Sequence, residues 1–344
     1  MKKMKTYKIY GITAAIICLV AVFSTVSCSK DVPIGDPVTI NAGYVLPQTG
    51  ASDEDNARIM EIYEKWSSYV LYDVDSTDVY WTQIAGTDSG GNTVYQFEDA
   101  DPQYVGDMLD YLNEVWWQYF PDEFLQKGGI PFRVYLVEEY YKYQDWGSSG
   151  VSGNTYLDYR IDDNYSYIIV SGMSKVASID ADTKRDKKFF LLNALFDKWT
   201  TEGVVDIPEE FYTISDYTTE PEMTGEGEDQ YGNPVIAFTD EELAAFRNRG
   251  FIPKVTMQQY MGQLPSVSIS EIYTKYSETS SNWSSGYFDP KEEDFLAYIS
   301  QMLYATEAEI EEFIKYETIK TKWNIILDYY KDNYNIDLGA IASE

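Results

Sequence analysis

Residues 187–200 read KKFFLLNALFDKWT. Phe189, Leu192, Leu195, Phe196 and Trp199 recur at three- and four-residue spacing, the pattern of a helix that buries one face. Gly203 reads as the stop of that helix, since glycine adopts the left-handed conformation that ends one. A face this apolar needs a sheet or other helices to cover it, and both are legible nearby. Phe132 to Val137 and Tyr167 to Val170 are short runs of β-branched and aromatic residues, expected as buried strands. Upstream, Ser52 caps a predicted helix through Ile59, Ile62, Tyr63, Trp66 and Val70. A second helix is predicted over about 104–119, with Met108, Leu109, Leu112, Val115 and Trp116 inward.

Between these two helices, Val79 to Ile84 and Thr93 to Phe97 flank the turn cluster DSGGN (88–92), which predicts a hairpin. Downstream, residues 219–237 are polar and rich in Gly and Pro, expected as a loop. Thr239 with Glu242 is a capping box opening a short helix that ends at Gly250. Residues 263–288 are Ser- and Tyr-rich and expected to be irregular. Asp289-Pro290 starts a helix, Thr306 with Glu309 caps the next, and Ile319, Trp323, Ile326, Leu327 and Tyr330 mark the last. Strands early and helices late give an α+β fold, a small mixed sheet with several helices.

The order of several strings resembles the substrate import-associated zinc metallohydrolase lipoproteins of Bacteroidetes, a zinc metallopeptidase group. The matching strings are Tyr63-Glu64-Lys65-Trp66, Ile130-Pro131-Phe132-Arg133-Val134-Tyr135-Leu136-Val137 and Ile207-Pro208-Glu209-Glu210-Phe211-Tyr212-Thr213-Ile214-Ser215. Arg249-Gly250-Phe251-Ile252-Pro253, Glu293-Asp294-Phe295 and Ile325-Ile326-Leu327-Asp328-Tyr329-Tyr330 follow in the same order. The resemblance implies a zincin-like fold over 51–344 as a single domain, with residues 187–200 as the former active-site helix. The family carries His-Glu-Phe-x-His there. Two histidines four apart grip Zn²⁺ from one helical face, and the Glu activates the bound water. With Phe196 on the motif Phe, the histidine positions are Ala194 and Lys198 and the Glu position is Leu195. All three chemical residues are replaced, so the resemblance implies a relative without its metal and without catalysis. Glu293 and Asp294 are the acids that would remain beside its cleft, and a ligand groove is expected between them and Lys198.

The whole chain contains no histidine. That removes the commonest zinc ligand and every Ser-His-Asp or Cys-His nucleophile system. No resident cofactor is expected. Calcium is the one candidate ion, at acidic turns such as Asp73 to Asp78, Asp99 with Asp101 and Asp162 with Asp163; the first lacks the Gly and Glu of an EF-hand.

The N-terminus carries Lys2, Lys3, Lys5 and Lys8, then an apolar run from Ile12 to Val26 ending in Ser27-Cys28. The run is about 15 residues, short of the roughly 20 a membrane span needs. This is a secretory signal over 1–27 followed by a lipidation cysteine. Cys28 would take a diacylglyceryl group and a further acyl chain, enough for stable anchoring. Residues 28–50 read as a flexible tether. Cys18 lies in the signal, leaving no thiol to pair. The expected location is the outer membrane, at the cell surface, with the periplasmic face as the alternative.

The net charge of −31 grows more negative when the four signal lysines leave. Such a surface repels nucleic acid and anionic headgroups. There are 32 tyrosines and 8 tryptophans, side chains with flat apolar faces and polar edges that suit contact with carbohydrate or protein. Three functions stay open. The first is a non-catalytic accessory of a nutrient-import system that binds a partner protein of an outer-membrane import complex, a peptide or a glycan. The second is a glycoside hydrolase working with two carboxylates. The third is a tyrosine-rich adhesion lipoprotein of unrelated fold.

Overall fold

Helix α1 (Asp53–Trp66) starts where the Ser52 hydroxyl accepts the Asp55 amide at 3.0 Å, and Asp53, Glu54 and Asp55 place negative charge at the positive end of its dipole. The computed structural model describes residues 43–75, 78, 95–146, 151–228, 232, 234–258, 266–271, 275–276 and 290–342. Cys28, the signal segment, most of the expected tether and hairpin, and Asp289 lie outside them. The described residues from Leu46 onward belong to one compact unit. No helix among the described residues is long and apolar enough to cross a membrane.

The architecture is α+β. Its central sheet joins β1 (Tyr69–Leu71), β3 (Arg133–Leu136), β7 (Tyr167–Val170) and β6 (Tyr159–Ile161) in that order. β1–β3 and β3–β7 are parallel, while β6 returns antiparallel to β7. Val134, Tyr135, Leu136, Ile168 and Ile169 are all fully buried. Parallel strands covered on both faces read as continuous apolar runs, which is why these two were visible in the sequence. A second sheet, β2 (Gln96–Glu98), β4 (Glu139–Trp146) and β5 (Val151–Tyr156), is wholly antiparallel.

Helix α2 (Val105–Val115) buries Met108, Leu109, Leu112 and Val115. The predicted second helix does not run through to 119. It breaks at Trp116 (φ −140°, ψ −74°) and resumes as a 3₁₀ turn, Trp117–Tyr119. Trp116 and Trp117, at the break, are both buried, at 0% and 4% exposure.

Helix α3 (Ala181–Thr201) contains residues 187–200 and starts six residues before them. Asp180 caps it by accepting the Thr183 amide at 2.8 Å, and Gly203 (φ 71°) ends it. From Lys188 to Leu192 the helix is buried all round; beyond that only the stripe Leu195, Phe196 and Trp199 is buried. Trp199 meets Phe120, Phe124 and Phe196 edge-on at 4.9–5.0 Å, and its indole N–H donates to the Tyr165 hydroxyl at 2.7 Å.

Two stretches expected to be irregular are paired strands. Gly225–Glu228 (β8) forms a hairpin with Pro234–Ala237 (β9), and Ser266–Ser270 (β11) lies antiparallel to Lys254–Gln258 (β10). β12 (Lys275–Tyr276) adds to β9. Gly225–Glu228 is Gly-Glu-Gly-Glu and has no apolar residue to mark it, while the short alternation of Val267 and Ile269 is set in a Ser- and Tyr-rich stretch; pairing is decided by the neighbouring backbone. Between them, α4 (Asp240–Asn248) opens on the expected Thr239–Glu242 capping box, and Gly250 (φ 90°) follows its end. The C-terminal layer is α5 (Pro290–Tyr304), α6 (Glu307–Phe313), α7 (Glu317–Tyr334) and α8 (Leu338–Ala342). Thr306 and Glu309 form the second expected capping box.

The caps tie stability to pH. Hydrogen bonds from the Thr239 backbone and the Thr224 hydroxyl pull the Glu242 carboxyl down to about 2 from an ordinary 4.5, and Thr306 lowers Glu309 in the same way. A carboxyl lowered in the folded state stabilises fully above its ordinary pKa, and that contribution is lost as pH falls through the folded value. Melting temperature is therefore expected to fall between about pH 4.5 and 2, and to fall less in Glu242→Gln, as followed by circular dichroism. An equal fall in the variant would remove this cap from the cause.

Candidate functional site

Ala194 and Lys198, four apart, lie on a half-buried flank of α3, while Leu195 is fully buried in the core. The Lys198 ammonium donates to the Asp163 carbonyl at 2.9 Å, on the turn between β6 and β7. A methyl, an isobutyl and a cation offer a metal nothing, so these positions do not fit zinc. Among the described residues, no group of three or more His, Cys, Asp and Glu side chains is placed to hold a metal ion.

The two acids expected beside Lys198 sit elsewhere. Glu293 on α5 pairs with Lys254 of β10. Asp294 is not a cleft acid: it is fully buried and paired with the equally buried Lys322 of α7. The Lys322 ammonium also donates to the Ser215 hydroxyl at 2.9 Å and the Gly250 carbonyl at 3.0 Å. Phe211, Tyr298, Phe251 and Tyr217 ring it, with centroids 4.2 to 5.7 Å away, and Tyr217 donates to the same Asp294 carboxylate. Burial pushes Lys322 down to about 8 and pushes the Asp294 carboxyl up, each opposed by attraction to the other. The matched strings at 207–215, 249–253 and 293–295 thus converge on one buried cation. Its surroundings are closed, and the pair reads as an internal tie between α5, α7 and two loops.

A wider hollow of about 680 Å³ lies over β8 and β9. One open groove, of about 380 Å³, runs between α1 and α2. Its floor is apolar, from Ile62, Leu109 and Phe120. Trp66, at the end of α1, forms a half-buried wall, held where its indole N–H donates to Asp122 at 2.9 Å. Trp117 packs against it at 61°, centroids 5.5 Å apart. Around the rim stand Arg58, Glu61, Lys65, Asn113, Gln118 and Asp122. Arg58 is paired with Asp110 at 2.6 Å, and Lys65 with Asp122 at 3.4 Å and Glu61 at 3.9 Å. Neither this groove nor the next is lined by Ala194, Leu195, Lys198, Glu293 or Asp294.

No family model matches the chain, and no curated protein matches it. Among solved structures, a protein of Bacteroides caccae ATCC 43185 named a "putative zinc-binding metallo-peptidase", crystallised at 2.10 Å resolution, is similar to it over 85% of this chain and 91% of that one. Identity is 13% and the TM-score 0.40.

A second groove, about 340 Å³, lies beside the start of α3 and carries Lys184, Arg185 and Lys188. Each cation is engaged from within. Lys184 pairs with Glu114 at 2.5 Å, Arg185 binds the Tyr304 carbonyl and covers its ring, and Lys188 donates to the Ile341 carbonyl at 2.7 Å. The acidic turns serve the backbone too: Asp101 caps a 3₁₀ turn and Asp162 accepts from Ser166. Of the expected calcium loop, residues 76–77 lie outside the described residues.

In the sequence Trp66 stands out as a core position of the first helix and as part of the Tyr63-Glu64-Lys65-Trp66 string, and Trp117 does not stand out at all. The signal that marks the groove is the pair of polar residues Asn113 and Gln118 beside consecutive tryptophans. Some tyrosines build the interior: Tyr72, Tyr135, Tyr140, Tyr167, Tyr298 and Tyr330 are all at 3% exposure or less.

Proposed function

We propose that this chain is a non-catalytic binding lipoprotein, anchored in the outer membrane through Cys28 at the cell surface, that holds a ligand for a nutrient-import system. The observation that carries this reading is the Trp66 groove, an open, formed cavity with an apolar floor and convergent polar groups, the general build of a small-molecule site. Its volume falls in the ~300–1,000 Å³ range of such sites.

Two further observations support binding over turnover. The positions that answer to zinc ligands hold an alkyl core residue, a methyl and a lysine. A glycosidase needs a carboxylic acid whose pKa is raised; among the described residues the carboxyls clearly raised, Asp294 and Glu271, are both spent on internal partners, Lys322 and Arg247. Incubation with peptides or oligosaccharides is expected to give equilibrium binding and unchanged ligand. New amines or reducing ends, produced by the wild type and lost in a Glu61→Gln or Asp122→Asn variant, would overturn the non-catalytic reading.

The anchor has its own test. Cys28→Ser is expected to abolish palmitate labelling and move the protein from the membrane to the soluble fraction. Retention of Cys28→Ser in the membrane with unchanged labelling would sink the lipid assignment.

A further inference from the structure

We propose that the groove between α1 and α2 takes a neutral saccharide, stacked on Trp66 with its hydroxyls met by Glu61, Asn113 and Gln118; this rests on the binding reading above and names its ligand class.

The charge balance comes first. The groove is lined by two cations, Arg58 and Lys65, and two carboxylates, Glu61 and Asp122. The cations are already paired, one to Asp110 and the other to Asp122 and Glu61. The four lining charges cancel, and Asp110 leaves the patch with one extra negative charge in a chain of net charge −31. An anionic ligand would meet no free cation, and a cationic one would compete with Lys65 for its two acids.

The shape and the polar groups add to this. An apolar floor and an indole wall suit the C–H face of a sugar ring, because a tryptophan face offers apolar area with a negative quadrupole. A long acyl chain would need a deeper apolar pocket than one ringed by six charged or amide side chains. The exposed Asn113 amide has no hydrogen bond to the described residues, so its donors and acceptor are both available for hydroxyls, which are themselves donor and acceptor.

Trp117 lines the groove at 4% exposure and braces Trp66 edge-on, with centroids 5.5 Å apart.

The experiment uses the full chain in a detergent without a sugar headgroup, with tryptophan fluorescence and titration calorimetry as readouts. The probes are neutral hexasaccharides of glucose, xylose, mannose and galactose, an anionic oligogalacturonate, and a set of uncharged tetrapeptides. At least one neutral saccharide is expected to bind and shift the tryptophan emission. Trp66→Ala should weaken it by about tenfold or more, and Asn113→Ala severalfold, while Lys198→Ala leaves it unchanged. Asn113 is exposed, so its truncation tests the site even if Trp66→Ala fails to fold. Tetrapeptide binding lost in Asn113→Ala, with no saccharide bound, would overturn the saccharide and leave the binding reading standing. Saccharide binding indifferent to both variants, or preference for the oligogalacturonate, would overturn this inference. No binding by any probe would count against both.

Discussion

Leu195→Glu is expected to destabilise the protein by on the order of 5 kcal/mol, the sum of a lost buried leucine and a carboxyl carried into an apolar core. Total stability of a domain is about 5–15 kcal/mol, so the variant should populate the unfolded state at ordinary temperature. The physical basis is the position of residue 195 on the one buried stripe of α3, fully inaccessible, next to Phe196 and one turn from Trp199. Leu195→Met, which conserves volume, should cost less than about 1.5 kcal/mol. Urea unfolding followed by circular dichroism measures both. This variant also speaks to function, because the sequence resemblance implies a glutamate position at 195. Restoring His, Glu and His at 194, 195 and 198 is expected to give an unstable protein rather than a zinc site. A Leu195→Glu protein within 1 kcal/mol of wild type would mean that this position faces water, and would reopen a cleft on α3.

Lys322→Ala is expected to cost about 3–5 kcal/mol, because it leaves the Asp294 carboxylate fully buried without its cation. The Ser215 hydroxyl and the Gly250 carbonyl would lose their donor at the same time. Removing both charges is a different matter. Asp294→Leu combined with Lys322→Met replaces two desolvated ions by apolar groups, and such replacements are often neutral or stabilising. The double variant is therefore expected to be far closer to wild type than either single one. A double-mutant cycle in guanidinium measures the coupling. Additive single losses would show that the pair is not the interaction that ties α5 to α7.

How much was legible depends on the range of the interaction. The caps at Ser52, Thr239 with Glu242, and Thr306 with Glu309 were readable because a hydroxyl and an amide three residues on satisfy each other inside one turn. Helix α3 and strands β3 and β7 were readable because burial imposes a period on the residues themselves. The hairpins β8–β9 and β10–β11 were not. Gly225–Glu228 has no apolar alternation, and only the approach of Pro234–Ala237 makes it a strand.

The sequence by itself determined the α+β class, the helix near 187–200 with its inward stripe, the absence of histidine chemistry and the acidic surface. Tertiary structure alone decided where the polar groups meet. It buried Asp294 against Lys322, 28 residues away in the chain, rather than beside Lys198. It brought Trp66 to Asp122 across 56 residues and so opened a groove at α1 and α2, walled by residues from distant parts of the chain. The reason is physical. Hydrogen-bonded caps and helical periods are set within a few residues of chain, whereas a cavity exists only where elements distant in sequence pack and leave a space between them.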